Sequence, residues 1–533
     1  MRNGLAQGAL AVLVLIVVAL SVGSVRMDSA TSDEPAHIAN GVIKLSEGWL
    51  NFFREQPPLM NSMSAAPVVL SGYRIKPGWK GGNHWIVGRG FLYRSGHDAY
   101  RILFLARLPT ILLFAALIVV MYAFVCRQTG SAAWALAAAA LTGFCPTLMA
   151  HGRLATVDLA LAFFSFTATV LLITLIERPK ASTAIVFGLA AVAAPMSKVS
   201  GLILGPYFLV VIAAAFVLRR VANPRRFLKS LAISIVAALV FFEGFGLAET
   251  GSAFAKDQYP LTPRILIPFA EYAANVRTIN AWYTQGHALP QFLLGRFSTS
   301  GWPQYYLVAF LLKTTIPAIL LFVAAIVTGV RGKSFVFFVL VSFVALFFGI
   351  AAAGHLALGI RYVLPVYPFI YAATALALGA SGLRRGGVIV VAALIVWHAG
   401  ENLKSYPFYI AYFNELIGSQ RNADRFLIDS NLDWGQDLRR LDGWAHDHGV
   451  KRIAVHYFGG GSVEYELRSA KPIVRYAPGP DPLPKGYFAL SRHFYRISFY
   501  LPLWGVNYDD YLAASHARYL TTIGGSIDVY RVD

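Results

Sequence analysis

The sequence predicts an α-helical polytopic membrane protein of about eleven transmembrane helices that ends in a soluble α/β domain. Three observations predict it. Hydrophobic residues make up 57% of the 533 positions and charged residues only 14%, with a mean hydropathy of +0.56, a balance foreign to an enlarged soluble domain. Eleven apolar segments recur through the first 400 residues, and a single alternating threading puts every short basic linker on one side. After about residue 400 the apolar runs shorten and turn residues multiply, so 1–400 reads as a membrane module and 401–533 as a domain outside the bilayer.

The net charge of +19 does not call for nucleic acid, because much of the basic excess lies in those linkers. Cys126 and Cys145 lie in or beside apolar spans, which excludes a disulfide framework and metal-type cysteine spacing.

Gly4 to Val25 carries no charge and is long enough to cross a hydrocarbon core of roughly 20 residues. It is read as an uncleaved first helix, the other reading being a signal peptide with Arg2 as its basic end and small residues at Ser21 to Ser24. Residues 26–100 form a polar outer loop. In it Ile38, Val42, Ile43, Leu45, Trp49, Leu50 and Phe53 approximate a helical stripe suited to the membrane interface, which Pro57-Pro58 ends. Arg74, Lys76, Lys80, Arg89, Arg94 and Arg101, interleaved with Tyr73, Trp79, Trp85, Tyr93 and Tyr100, read as a belt facing lipid headgroups.

Further spans are expected at 102–125, 132–149, 154–176, 182–196, 199–218, 228–248, 306–329, 334–354, 363–381 and 386–399. With the N-terminus in the cytoplasm, Arg127, Arg178, Lys180, Arg219, Arg220, Arg225, Arg226, Lys229, Arg331, Lys333, Arg384 and Arg385 all fall inside. The turns at His151, Lys198 and 355–361, the loops 26–100 and 249–305, and the tail fall outside. The outer side therefore holds nearly all the candidate chemistry.

Asp33-Glu34-Pro35 follows the first span, where a carboxylate can act on a membrane-borne substrate; acids at such a place also simply cap a helix or mark a solvated loop. In His151-Gly152-Arg153-Leu154-Ala155-Thr156-Val157-Asp158, His151 and Arg153 either snorkel or face a site. Asp158, four residues inside an expected apolar helix, calls for a partner or a function. Lys198 in Ser197-Lys198-Val199-Ser200-Gly201 either snorkels or holds a phosphate as a point charge. Arg361, before Tyr362-Val363-Leu364-Pro365, can grip a phosphate bidentately. The loop 249–305 mixes Lys256, Arg264, Arg277, His287 and Arg296 with tyrosines and tryptophans, which suits lipid phosphate and sugar rings as well as an ordinary interfacial loop.

The order of these motifs, together with Pro57-Pro58-Leu59, resembles the GT-C membrane glycosyltransferases, in the branch of the protein O-mannosyltransferases and lipid A aminoarabinose transferases, over roughly residues 1–400. Gln56 departs from it, since many relatives have His or Asn before Pro-Pro-Leu. The resemblance implies an inverting transfer of a monosaccharide from a polyprenyl-phosphate donor to a hydroxyl of a glycan, lipid or protein on the extracytoplasmic side, with Asp33 as general base. The residues fit that chemistry: a positioned carboxylate can take the acceptor's proton, and cations can meet the charge of the leaving phosphate. Glu34 is expected to orient acceptor or base, and Lys198, Arg361 and Arg153 to hold the donor phosphate. Asp158, His151 and Tyr362 are expected near sugar or acceptor. No cofactor is required; some relatives carry a divalent metal, but no ligand cluster here demands one. A bacterial inner membrane is the expected location.

In the tail, Arg425 to Asp429 reads as a strand, Gln436 to His448 as a helix and Lys451 to Tyr457 as a second strand, a β-α-β pattern. Asp433 and Trp434, at the carboxyl end of the first strand, suit a sugar, although Asp433 equally suits capping the helix. Gly459-Gly460-Gly461 lacks the spacing of a dinucleotide fingerprint. Pro478 to Pro484 marks a stiff loop, and Gly525 to Val532 alternates like an edge strand. A transporter or flippase for a lipid-linked saccharide is the rival from another class; it predicts ionisable residues near the middle of several spans and paired repeats, whereas here the ionisable residues cluster at the outer ends and no repeat is seen.

Overall fold

The computed structural model describes residues 2–47, 55–75, 83–247, 260–285, 290–354, 356–475, 483–500 and 507–533. Each of the eleven apolar segments is helical. Helix α1 (Arg2–Val25) leads into a short loop and α2 (Glu34–Glu47), α3 (Pro58–Leu70) and α4 (His84–Tyr93). Pro58 opens α3 at a position where its missing N–H costs nothing. Then come α5 (Ala99–Thr129), α6 (Ala132–Gly143), α7 (Pro146–His151), α8 (Asp158–Glu177), α9 (Ala181–Ser197), a 3₁₀ turn (Val199–Ile203), α10 (Leu204–Val217) and α11 (Pro224–Leu247). Helix α12 (Ile267–Gln285) and the hairpin β1 (Gln291–Leu293) and β2 (Arg296–Ser298) precede α13 (Tyr305–Lys313), α14 (Ile316–Gly332), α15 (Phe335–Ala353), α16 (Val366–Ala380) and α17 (Arg385–Ser405).

Among the described residues seven helices are long and apolar enough to cross a membrane, with α13 and α14 as an eighth, bent span. Helices α6, α9 and α16 are apolar but shorter. Two expected spans are therefore broken. The segment 132–149 stops at Gly143 and restarts at Pro146, and the segment 306–329 turns by 116° between α13 and α14. At that bend the freed backbone groups find partners in the tail: Asn414 Nδ2 donates to Leu311 O at 2.6 Å and to Thr314 O at 2.7 Å, and Asn414 N donates to Leu312 O at 2.9 Å. Lys313 Nζ donates to the carbonyls of Ile410 at 2.8 Å and Asn431 at 2.6 Å. The bend is thus the socket in which the tail is rooted.

Helix α2 does not present its stripe outward. Ile38, Ala39, Val42 and Ile43 are buried with Ala65, Val87, Phe91 and Ile102 from α3, α4 and α5. Gly88 lets α4 pass over the start of α2, where a Cβ would meet Pro35 O at 2.4 Å. The aromatic part of the expected interfacial helix, Trp49 to Phe53, lies outside the described residues, as do 249–259 and 286–289 of the second outer loop and 476–482 of the proline-rich loop.

The tail contains α18 (Leu438–Asp447) and a five-stranded sheet of β3 (Arg452–His456), β4 (Lys471–Val474), β5 (Gly486–Ser491), β6 (Ala517–Ile523) and β7 (Ile527–Val532), ordered β4-β3-β5-β7-β6. Strand β3 runs parallel to β4 and β5, while β7 is antiparallel to β5 and β6. Two expectations fail here. Residues 425–429 are not a strand: Ala423–Phe426 is a helical turn, and Asp429 adopts a positive φ of 58°, which ends the extended backbone of Leu427 and Ile428. Strand β7 is not an edge strand, because β6 covers its outer side.

Candidate active site

The loop between α1 and α2 is held from both sides. Ser29 N donates to Gln436 O and Ser32 N to Trp434 O, each at 2.9 Å, so the start of the tail is stitched onto the residues before Asp33. Gly460 lies against the same loop, where a Cβ would come within 2.2 Å of Thr31 O. Beneath, Glu34 is fully buried: Arg107 Nε and Nη2 each donate to it at 2.7 Å, Thr31 N and Ala155 N at 2.9 Å, and Thr31 Oγ1 at 3.1 Å. Burial raises the Glu34 pKa, but the charge and hydrogen bonds of Arg107 outweigh it and hold the carboxyl below its ordinary range. Asp28 is likewise buried, bound by Arg153 and, at 2.6 Å, by Arg440 of α18.

Above this base plate lies a cavity of about 300 Å³. Asp33 and His37 of the α2 N-terminus, Glu55 and Gln56 before α3, and Trp85 of α4 line one part of it. Lys198, Arg361 and Tyr362 from breaks in the membrane helices and Asp429, Trp434 and Phe458 from the tail also line it. Arg361 Nη1 donates to Asp33 Oδ2 at 2.8 Å and lies 3.7 Å from Asp158 Oδ2. Its guanidinium carbon is 4.4 Å from the Trp434 ring centre and 5.1 Å from that of Tyr362. Lys198 Nζ donates to Asp158 Oδ1 at 2.6 Å and sits 4.3 Å from the Tyr362 ring centre. Asp158 is the first residue of α8 rather than four residues inside it, which lets one carboxylate reach both cations.

Residues 328 positions apart, Asp33 and Arg361, are thus brought together with Lys198, Asp158, Tyr362 and Trp434. Four other expected site residues are turned away from the cavity. Glu34 serves the base plate, and Arg153 pairs with Asp28 and lies over Tyr409 at 5.6 Å. His151 is buried edge-on to Trp434 at 5.9 Å. Asp433 neither caps α18 nor lines the cavity. It accepts from Ser491 Oγ, from His493 N and from Gly435 N at 3.2 Å, tying the tail's sheet to the loop that carries Trp434. Burial pushes its carboxyl up to about 7 against those hydrogen bonds.

The cavity also contains groups that the sequence reading did not assign. His37 is one turn along α2 from Asp33, the usual helical neighbour spacing, and that signal was available. Its Nδ1 pairs with Asn61 Oδ1 at 2.8 Å, and burial holds it below the usual imidazole pKa. Glu55 and Asp429 carried no comparable signal. Among the described residues no group of three or more His, Cys, Asp or Glu is placed to hold a metal.

A second, apolar groove of about 310 Å³ opens beside the cavity and shares Val199, Ser200, Ile279, Leu356 and Tyr362 with it. Leu202, Ile203, Val276, Phe347, Ile350 and Ala351 from the 3₁₀ turn, α12 and α15 form its walls.

Residues 50–246 match the family model described as dolichyl-phosphate-mannose-protein mannosyltransferase. The whole structure is similar to that of ArnT from Cupriavidus metallidurans in the apo state, with a TM-score of 0.52 and 13% identity over 99% of this chain and 98% of the other. The chain has an ArnT-like GT-C fold. ArnT bound to undecaprenyl phosphate gives a TM-score of 0.49 at 13% identity over 99% and 98% of the two chains. The archaeal oligosaccharyltransferase AglB from Archaeoglobus fulgidus, in complex with an inhibitory peptide and a dolichol-phosphate, gives 0.49 at 11% identity over 98% of this chain and 74% of that one. No curated protein matches the sequence. The resemblance read from the motif order, and the helical membrane fold with a small C-terminal sheet domain, agree with these findings.

Proposed function

We propose that the protein transfers a monosaccharide from a polyprenyl-phosphate donor to a hydroxyl acceptor, by single displacement with inversion, and that Asp33 is the general base. The observation that carries this reading is the Asp33–Arg361 pair at 2.8 Å in a cavity that also contains Lys198 and opens into an apolar groove. A base, two cations and an apolar channel are what an acceptor hydroxyl, a phosphate and a polyprenyl chain each need. The donor name carried by the matched family model supports the same class.

In this reading the prenyl chain lies in the groove and its phosphate meets Arg361 and Lys198. As the acceptor oxygen attacks the anomeric carbon, its proton passes to an Asp33 oxygen and the bond from that carbon to the phosphate oxygen breaks. The electron pair leaves on the phosphate, where the two cations stabilise it. Asp158 holds Lys198 in place. Arg361 has to exchange Asp33 for phosphate, so donor binding itself frees the base. We place the cavity on the extracytoplasmic face of a bacterial inner membrane, with the N-terminus in the cytoplasm and the acceptor a glycan, lipid or protein.

The test is incorporation of labelled sugar into membranes from a panel of polyprenyl-phosphate mannose, glucose, galactose and 4-amino-4-deoxyarabinose. Transfer from at least one is expected, and none from any of them would overturn the reading. The groove makes its own prediction. Ala351→Trp fills it and is expected to lower kcat/KM for a long-chain donor by about tenfold, while a short-chain analogue of the same sugar loses less than about twofold. Equal losses for both donors would remove the groove from the lipid path.

A further inference from the structure

We propose that Glu55 and Gln56 form the sugar-reading wall of the cavity, the Glu55 carboxyl donating a hydrogen bond to one hydroxyl of the transferred sugar and Gln56 Oε1 accepting from the next. The inference rests on the glycosyl-transfer reading of this cavity and assigns the residues that choose its sugar.

The geometry points there. Both side chains line the same cavity as Asp33, and the Glu55 side chain is only 17% exposed. Neither lining cation serves it: Arg361 is paired with Asp33, and Lys198 with Asp158. Among the described residues the basic side chain within 4 Å of it is His84 of α4, with Nε2 at 3.8 Å from Oε1. Burial first, and then His37, push the His84 imidazole down to about 4, so His84 is neutral near pH 7 and does not draw Glu55 into an ion pair. Burial and then the charge of Asp33 push the Glu55 carboxyl up to about 7. A carboxyl in the same cavity as another acid is harder to ionise for that reason. Gln56 Oε1 is buried and has no hydrogen-bond partner among the described residues, and a buried acceptor left unmade is costly.

A carboxyl that donates beside a bare amide oxygen is a poor partner for phosphate and a good one for adjacent sugar hydroxyls, each of which both accepts and donates. Trp85 lines the cavity with them and adds an aromatic side chain, the kind that packs on sugar rings.

The test uses the full chain in lipid nanodiscs, with the four polyprenyl-phosphate sugars above and bare polyprenyl phosphate as probes. Glu55→Leu is expected to weaken binding of the sugar-bearing lipid by about tenfold and to leave bare polyprenyl phosphate within about twofold. Wild-type kcat/KM is expected to fall about tenfold from pH 6 to pH 8 as the Glu55 proton is lost. In Glu55→Gln, whose amide still donates, transfer stays within about threefold of wild type at pH 6 and this fall disappears. Equal weakening of both lipids by Glu55→Leu would make Glu55 structural and overturn the proposal, as would an unchanged pH profile in Glu55→Gln, which decides even where the leucine variant does not fold. Failure of the wild type to bind any of the lipids would instead sink the glycosyl-transfer reading itself.

Discussion

Asp33→Asn is expected to lower kcat for sugar transfer by about 10²–10⁴-fold while leaving KM for the donor equal or lower. Asparagine keeps the size of the side chain and can still accept a hydrogen bond, but it cannot take the acceptor's proton. The fold tolerates the change because Arg361 retains Asp158 at 3.7 Å and the face of Trp434 at 4.4 Å. Donor binding does not suffer either, since in the wild type the phosphate has to displace Asp33 from Arg361, and the variant removes that competitor. The split between kcat and KM distinguishes the roles. A raised KM at unchanged kcat would make Asp33 a binding group, and an unchanged rate would move the base to Asp429, another carboxylate lining the cavity.

The membrane module was legible because a bilayer demands long apolar runs and their linkers carry topology in their charge. The breaks were less so, although Pro146 and Pro317 stand at the starts of α7 and α14. Asp33, Lys198, Asp158, Arg361, Tyr362 and Trp434 could be gathered because polar residues at helix ends in an apolar chain are costly unless used. What the sequence cannot say is which of two neighbouring polar groups faces the cavity. Asp33 and Glu34 are adjacent, yet one meets the cavity and the other turns into protein donors. Arg153 and Asp433 were misjudged for the same reason, because their partners Asp28 and Ser491 are remote in sequence. A signal for the base plate did exist. Arg107 and Lys313 are lone charges inside expected spans, and both are buried on partners in the loop before α2 and in the tail. The strand at 425–429 failed because five apolar-rich residues do not determine a strand when the neighbouring elements claim their backbone: Phe426 O accepts from Leu294 N of the β1–β2 turn at 2.9 Å.

Glu34→Ala is expected to destabilise the protein by about 3–5 kcal/mol, the cost of stranding one partner of a buried ion pair. Arg107 would lose both its 2.7 Å bonds to the carboxylate, and Thr31 N and Ala155 N would lose their acceptor. Arg107→Met strands Glu34 in turn and also frees the carbonyls of Val25, Asp28 and Ser29. In the double variant no buried charge remains unpaired, so its loss is expected to fall short of the sum of the single losses by about 2 kcal/mol or more. Thermal unfolding of the four proteins in one detergent measures this coupling. The pH dependence has a definite sign. The folded pKa of Glu34 lies below its ordinary value, so the stability from the pair is fully present above about pH 4.3 and is lost as the pH falls through the depressed folded value. The same experiment separates the two acids of the motif. Glu34→Ala reduces the amount of folded protein and leaves specific activity per folded molecule far closer to wild type than Asp33→Asn does. A Glu34→Ala protein of normal stability and no activity would instead put Glu34 in contact with the reacting groups.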